Sequence, residues 1–435
     1  MSVLRSLYSG YSGLQSHGNA MDVVSDNIAN VNTIGFKAGR GRFEDILGQA
    51  VAEVPISGTA GSGSRLGGVE QIYSQGALLG TGVSTDMAVQ GDGFFVVDGN
   101  YQGLDGRYFT RDGQFNLNEQ GVLVNQLGLE VQGYLADSTG AIGSQLQSIS
   151  IPPTLTVPPQ ATASINVAAN LNSDVNDSPV PPAFDPNNAE GTSNFSTSVT
   201  VFDSLGSGHN VDVYFRNAGG GTWEWFALVD GAEITGGTPG VAEQEANGTL
   251  QFTTDGFLDV ETTAASSFDF LNATAAQAIT FDFGDAITTD AGLGTAGTTS
   301  YASTSNVVAI DQDGFASGAL AGITTGPDGV VVGTFTNGTR RAVAQIAVAK
   351  FQNNQGLVRG GSGLFTRADE SGVELIGAAG SGGRGAVVGQ SLEQSNVDLA
   401  KEFVDMINFQ RGFQANSRTI RTADEMLTEV VTLKR

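Results

Sequence analysis

The stretch 391-SLEQSNVDLAKEFVDMINFQRGFQANSRTIRTADEMLTEVVTLKR-435 returns an apolar side chain every seven residues, at Leu392, Leu399, Met406, Phe413, Ile420 and Leu427. The same beat opens the chain, at Leu7, Leu14, Met21 and Ile28. A sustained seven-residue spacing keeps one stripe of a helix turned toward a partner helix. Between the two ends, residues 51–390 are Gly-rich and carry turn signals in place of helical periodicity. Helices confined to the extreme ends of a β-rich chain predict ends that pair with each other or with neighbouring copies. Assembly, rather than catalysis, is the first expectation.

At 435 residues the chain is long enough for several domains, and 40% apolar residues suffice for real cores. It contains no Cys, so neither a disulfide framework nor a thiolate metal site is available. The formal net charge of −25 is unevenly placed. Residues 1–50 balance Arg5, Lys37, Arg40 and Arg42 against Asp22, Asp26, Glu44 and Asp45. The last 45 residues carry a net −1, which leaves −24 on the body. The two ends can therefore pack closely without a large Coulomb penalty, while the body repels its like and stays soluble. A body this acidic argues against nucleic-acid binding, which needs a basic face. Met1-Ser-Val-Leu-Arg5 is followed by Ser, Gly and Gln, not by the apolar core of a signal peptide, and no run of 18 apolar residues predicts a membrane span. Taken alone, this points to the cytoplasm.

Residues 3 to about 31 read as an amphipathic helix containing Gly10, Gly13 and Gly18, each costing roughly 1 kcal/mol relative to Ala. Such a helix is expected to be loose alone and ordered by contact. Gly35 suits the left-handed position past its end. Residues 32–72 read as an irregular connector, flexible at Gly58-Thr-Ala-Gly61-Ser-Gly63. From about 73 the pattern is β: Phe94-Phe95-Val96-Val97 lies between Asp92-Gly93 and Asp98-Gly99. Val330 to Phe335, Asn337-Gly338 and Val343 to Phe351 predict a hairpin, because Asn-Gly supplies the positive φ of a tight turn. Pro152-Pro153 and Pro158-Pro159 mark a domain boundary, and residues 288–304 read as an exit loop. The last segment, residues 391–434, reads as a single helix of up to roughly 66 Å at 1.5 Å per residue.

Chemistry is hard to place. The two histidines, His17 and His209, lie far apart; His17 reads as an interface residue and His209 as a solvated loop residue. Asp311-Gln-Asp313-Gly partly matches a calcium loop, but position 12 falls on Gly322. Gly61-Ser-Gly63-Ser-Arg-Leu-Gly67 lacks the Lys-Ser/Thr of a phosphate loop. No catalytic, cofactor-binding or metal-ligating set emerges, so no cofactor and no enzyme activity are expected.

The run Ser25-Asp26-Asn27-Ile28-Ala29-Asn30-Val31-Asn32-Thr33-Ile34-Gly35-Phe36-Lys37 resembles the N-terminal signature of bacterial flagellar rod and hook axial proteins. Ser395-Asn396-Val397-Asp398-Leu399, with Met406-Ile407, Gln410-Arg411, Ala415-Asn416-Ser417 and Thr422-Ala423-Asp424, resembles the matching C-terminal end. Asp86 to Phe95 and Tyr108 to Phe115 resemble the shared β domain. Pro158-Pro159-Gln160, Asn170-Leu171-Asn172 and Phe202-Asp203-Ser204-Leu205-Gly206 resemble hook rather than rod segments. The resemblance is weaker over residues 175–305.

The resemblance implies a multidomain, mainly antiparallel β body with a terminal coiled-coil domain. Residues 1–31 and 391–435 would form the coiled coil and 32–72 the connector. Residues 73–150 and 307–390 would form an inner β domain, and 151–306 an outer one. It implies a structural subunit that stacks into a curved, flexible tube passing torque from rod to filament. Its partners would be other copies of itself, the distal rod, the hook cap, the hook–filament junction proteins and the flagellar type III export apparatus. It would be extracellular, exported without a cleaved signal. Phe43-Glu44-Asp45-Ile46-Leu47 is similar to the short motif that early flagellar substrates offer to the export gate. The alternatives are another axial subunit, such as the distal rod, or, in a different class, a secreted β-rich adhesin; the latter leaves the paired terminal heptads unexplained.

Overall fold

The computed structural model describes residues 2–46, 63–176 and 180–432. Helix α1 spans Ser2–Ala29 and helix α2 spans Leu399–Thr432, with an almost wholly β chain between them. α1 ends as Asn30 to Gly35 turn the chain, with Gly35 at φ +68°. A Cβ there would sit 2.6 Å from the Arg111 backbone, so this turn needs glycine both for its conformation and for its room. α2 starts later than the heptad suggests. Leu392 lies not on the helix but in the short strand Ser391–Glu393, buried and paired with Leu79 of Leu78–Gly80. Asp398 caps α2, its carboxylate accepting from the Ala400 N–H at 2.9 Å and the Lys401 N–H at 3.3 Å.

The connector is more regular than its sequence predicts. Strands β1 (Gly39–Asp45) and β2 (Ser64–Gln71) pair antiparallel, with a register shift between Arg42 and Phe43. Leu47 and Gly58 to Ser62 lie outside the described residues.

The chain divides into two compact units. Unit one holds residues 1–153, 321–334 and 340–435; unit two holds 154–320 and 335–339. The main sheet of unit one sets Arg340–Lys350 beside Glu130–Ala136, then Phe94–Tyr101, Leu104–Thr110, Leu364–Thr366 and Val358–Gly361. The predicted hairpin is present: Val330 to Thr334 pair with Arg340 to Gln345 around Gly338 at φ +82°. Phe94, Val96, Phe109, Ala347, Ala349, Phe351 and Phe365 interlock on one face of this sheet, with Phe109 edge-on to Phe351 at 4.7 Å. Burying a side chain of this size contributes about 1.5–3 kcal/mol.

In unit two, strands from Phe195 to Ser266 form a five-stranded meander. Gly208–Gly219 buries alternate residues, Val211, Val213 and Phe215 among them, as a strand with one covered face should. These pack with Trp223, Trp225, Phe268, Phe281 and Phe283. His209 is a correction to the sequence reading: it is buried, stacked 4.1 Å from Phe270. Its Nδ1 lies 2.8 Å from Glu233 and its Nε2 3.4 Å from Asp203. The segment from Thr162 to Asp313 leaves and returns at one point, where Gln160 and Phe315 exchange two backbone hydrogen bonds of 3.0 and 2.9 Å.

Candidate assembly interface

The buried face of α1 is made of small residues at three- and four-residue steps: Gly10, Gly13, Ser16, Ala20, Val24 and Asn27. The glycines, read from sequence as a cost, are points of close approach. A Cβ on Gly10 would lie 2.9 Å from Ile420 Cγ1, and one on Gly13 would lie 2.6 Å from the Asn416 side chain. In the other direction, a Cβ on Gly412 would lie 2.6 Å from the His17 ring. Each helix thus takes a larger side chain of the other into a gap left by glycine. Gly18, with nothing within 4 Å of its Cβ position, is not such a gap.

Phe43 completes the packing. The shift in register at Arg42/Phe43 turns its ring toward the helices, where it meets His17 at 5.5 Å and Phe409 at 5.8 Å. Three elements therefore meet in one aromatic cluster. β2 adds hydrogen bonds, Ser64 N–H to Ser12 Oγ at 3.2 Å and Ser64 Oγ to Ser16 Oγ at 3.0 Å.

Below this cluster the motif residues form a polar lock. Asn27 is buried; its Nδ2 donates to the Gly39 carbonyl at 2.8 Å and to Glu402 at 3.1 Å, and its Oδ1 accepts from the Gly39 N–H at 2.8 Å. Asn396 accepts from the Ala38 N–H at 2.8 Å and donates to the Ile72 and Ser74 carbonyls at 2.7 and 3.0 Å. At the centre lies Glu393, fully buried. It accepts from Lys37 Nζ at 2.6 Å, the Gly76 N–H at 2.8 Å and Arg111 at 3.0 Å. Arg111 also donates to the Val89 and Gly91 carbonyls and lies 5.4 Å over the Phe94 ring. Burial lowers the pKa of Lys37 from its ordinary value; the Glu393 charge opposes this and the Arg111 charge adds to it.

Of the heptad residues, Leu7, Leu14, Met21 and Ile28 are half-buried, as are Met406, Ile420 and Leu427. Leu399 and Phe413 are exposed, at 39% and 41%. Met406, between them, is half-buried, so exposure does not fall evenly along the stripe; a straight α-helix drifts about 20° per heptad, which turns the stripe by about 80° from Leu399 to Leu427. It begins on the flank of α2 and ends against α1. Phe403 and Ile407, exposed at 50% and 47%, continue the outward flank at four-residue steps from Leu399.

Among the other motif residues, Asn30 bonds to Asp26 and Thr33, and Phe36 is buried beneath the Arg359 guanidinium at 5.2 Å. Ile28 and Val397 are half-buried and Ala29 is exposed, while Ser395 Oγ accepts from the Val397 N–H. Lys37 and Arg111 lie within the quoted family motifs, but sequence reasoning gave no role to them, nor to Glu393 or Glu402. Buried charges carry no local signal, because their partners are hundreds of residues away.

Family models match at residues 7–37 (flagella basal body rod protein), 88–170 (flagellar hook protein FlgE/F/G D1 domain), 170–315 (flagellar basal body protein FlaE D2 domain) and 388–433 (flagellar basal body rod FlgEFG protein C-terminal). The flagellar hook protein FlgE of Treponema pallidum is 34% identical, over 100% of both chains. The chain belongs to the flagellar hook protein family. The Escherichia coli hook protein FlgE is 34% identical over 97% of this chain and 98% of its own. The crystal structure of Helicobacter pylori hook protein FlgE2 shares the fold, with a TM-score of 0.50 at 16% identity over 73% of this chain and 100% of that one. As a family member the protein is a structural subunit of the bacterial flagellar hook. No helix among the described residues is long and apolar enough to cross a membrane.

Proposed function

We propose that the α1–α2 pair, held to its β unit by the Glu393 lock, is the seam through which copies of this chain polymerise into a curved, flexible tube. The role is structural, not enzymatic. The observation that carries the reading is the outward apolar flank of the pair: Leu399, Phe403 and Ile407 on α2, with Tyr8 and Tyr11 exposed on α1 at 70% and 61%. A flank of this kind on a helix that has already buried another face calls for a further helix. In this reading the β units form the outer layers, residues 151–306 outermost, and the tube transmits torque from rod to filament. The distal rod, hook cap and junction proteins would be its axial neighbours. The chain would reach the cell exterior through the type III apparatus without a cleaved signal, with Phe43 and Leu47 as gate contacts.

The test is negative-stain electron microscopy of the concentrated full-length chain beside a Leu399→Asp/Phe403→Asp variant. Tubes from the parent chain alone, with identical near-ultraviolet circular dichroism for both, are expected. Equal tubes from both would remove the seam from this face.

A further inference from the structure

Beyond Lys401, Glu402 and Asp405 in its first turns, α2 carries its charge in two bands. Arg411, Arg418 and Arg421 make a basic segment without an acid between them, and Asp424, Glu425 and Glu429 make an acidic one without a base. All six side chains are exposed. Among the described residues none of the six takes part in an ion pair, although Arg421 and Glu425 stand four residues apart on one helix. Arg411, Arg418 and Glu425 follow one another at seven-residue steps and therefore share a face, with Glu429 one turn beyond. This face lies away from Gly412, Asn416 and Ile420, the residues turned to α1.

Two parallel copies of such a helix cannot sit level. At zero offset every Arg faces an Arg and every acid an acid. Sliding one copy along the axis by eleven residues, roughly 16 Å at 1.5 Å per residue, sets Arg418 of one copy against Glu429 of the other, whereas a slide of seven would also set Arg411 against Arg418. We infer that neighbouring copies pack their α2 helices side by side with this axial stagger, Arg418 of one copy meeting Glu429 of the next. The occupant of the charged face is a second copy because the complement it needs is the other half of the same helix. Within the self-assembly reading, on which this inference rests, the bands set the axial step, while the apolar flank supplies the attraction. Like charges placed opposite are penalised, so the bands also select against level pairing.

Charge exchange tests it in the full-length chain. Arg418→Glu and Glu429→Arg should each raise the concentration at which tubes form by about three- to tenfold, the range expected for surface pairs lost and turned repulsive. The double variant R418E/E429R should return to within about twofold of the parent, because the pair is restored with its sign reversed. Added salt should weaken the parent and the double variant and relieve the single ones. Parent-like tubes from both single variants would overturn the stagger and leave the assembly reading standing. Closed dimers in place of tubes would overturn it in favour of antiparallel pairing. A parent chain that forms no tubes at any salt concentration would remove both.

Discussion

Gly10 and Gly18 are the same residue type eight positions apart in α1, and they should respond oppositely to substitution. Gly18→Ala adds a methyl group to open space and should stabilise the helix by up to about 1 kcal/mol. Gly10→Val meets Ile420 and should destabilise by about 1–3 kcal/mol. Urea midpoints of the two variants check this. Glu393 is the residue on which most depends. Glu393→Ala leaves the Lys37 and Arg111 charges buried without their carboxylate and should destabilise unit one by roughly 3–5 kcal/mol, read from the same midpoint. A titration prediction belongs to unit two. Burial pushes the Glu261 carboxyl up to about 7, and the Asp282 and Asp290 charges add to this against a hydrogen bond from the Phe283 N–H. The folded state then holds this proton more tightly than the unfolded chain, so its contribution to stability is present below the unfolded value near 4.5 and is lost as pH rises through 7. Glu261→Gln should flatten that slope and raise the melting temperature at pH 8. The motif residues could be picked out from the sequence by resemblance, but their physical work could not. Nothing near Asn27 says that its amide will bridge Gly39 and Glu402, and His209 reads as solvated because Asp203 and Glu233 reach it from separate turns.

At the scale of elements, periodicity told most where one face is covered. The Val330–Phe335 hairpin could be read from its alternation and from Asn337-Gly338, and both terminal helices from their heptads. The β1–β2 hairpin could not, because GRGRFED and SRLGGVEQ offer Gly and charge where a strand usually shows β-branched alternation. Leu392 satisfied the heptad count, yet it belongs to a strand; a spacing of seven is also met by chance when Asp398 starts the helix six residues later. The drift of the stripe separates two kinds of heptad residue. Phe413→Asp should block tube formation and cost the monomer only about 1 kcal/mol in thermal unfolding, since the side chain is 41% exposed. Ile420→Asp should lower monomer stability as well, because it places a charge against Gly10.

At the scale of the whole molecule, the antiparallel bridge between Gln160 and Phe315 makes the intervening segment a removable insertion: its two ends are already adjacent. Excising residues 161–314 and joining Gln160 to Phe315 through a short Gly-Ser linker should leave a soluble chain that still forms tubes, with altered curvature or stiffness measured from electron micrographs. Loss of all tubes would show that the excised segment is needed for stacking itself. Unit two begins at Thr154, beside Pro152-Pro153, and takes in Phe335–Thr339, the turn of a hairpin whose arms belong to unit one.

The Lys37–Glu393 pair spans 356 residues, and this separation sets an order of events. A chain that emerges N-terminus first carries Lys37 early and its carboxylate only when almost everything else has followed. Until then the pocket around Arg111 holds two positive groups and no negative one, and the first helix has no second helix to lie against. The seam is therefore the last part of the molecule to close. A chain cut short anywhere before Glu393 would leave Lys37 and Arg111 without the carboxylate they share, and α1 without α2.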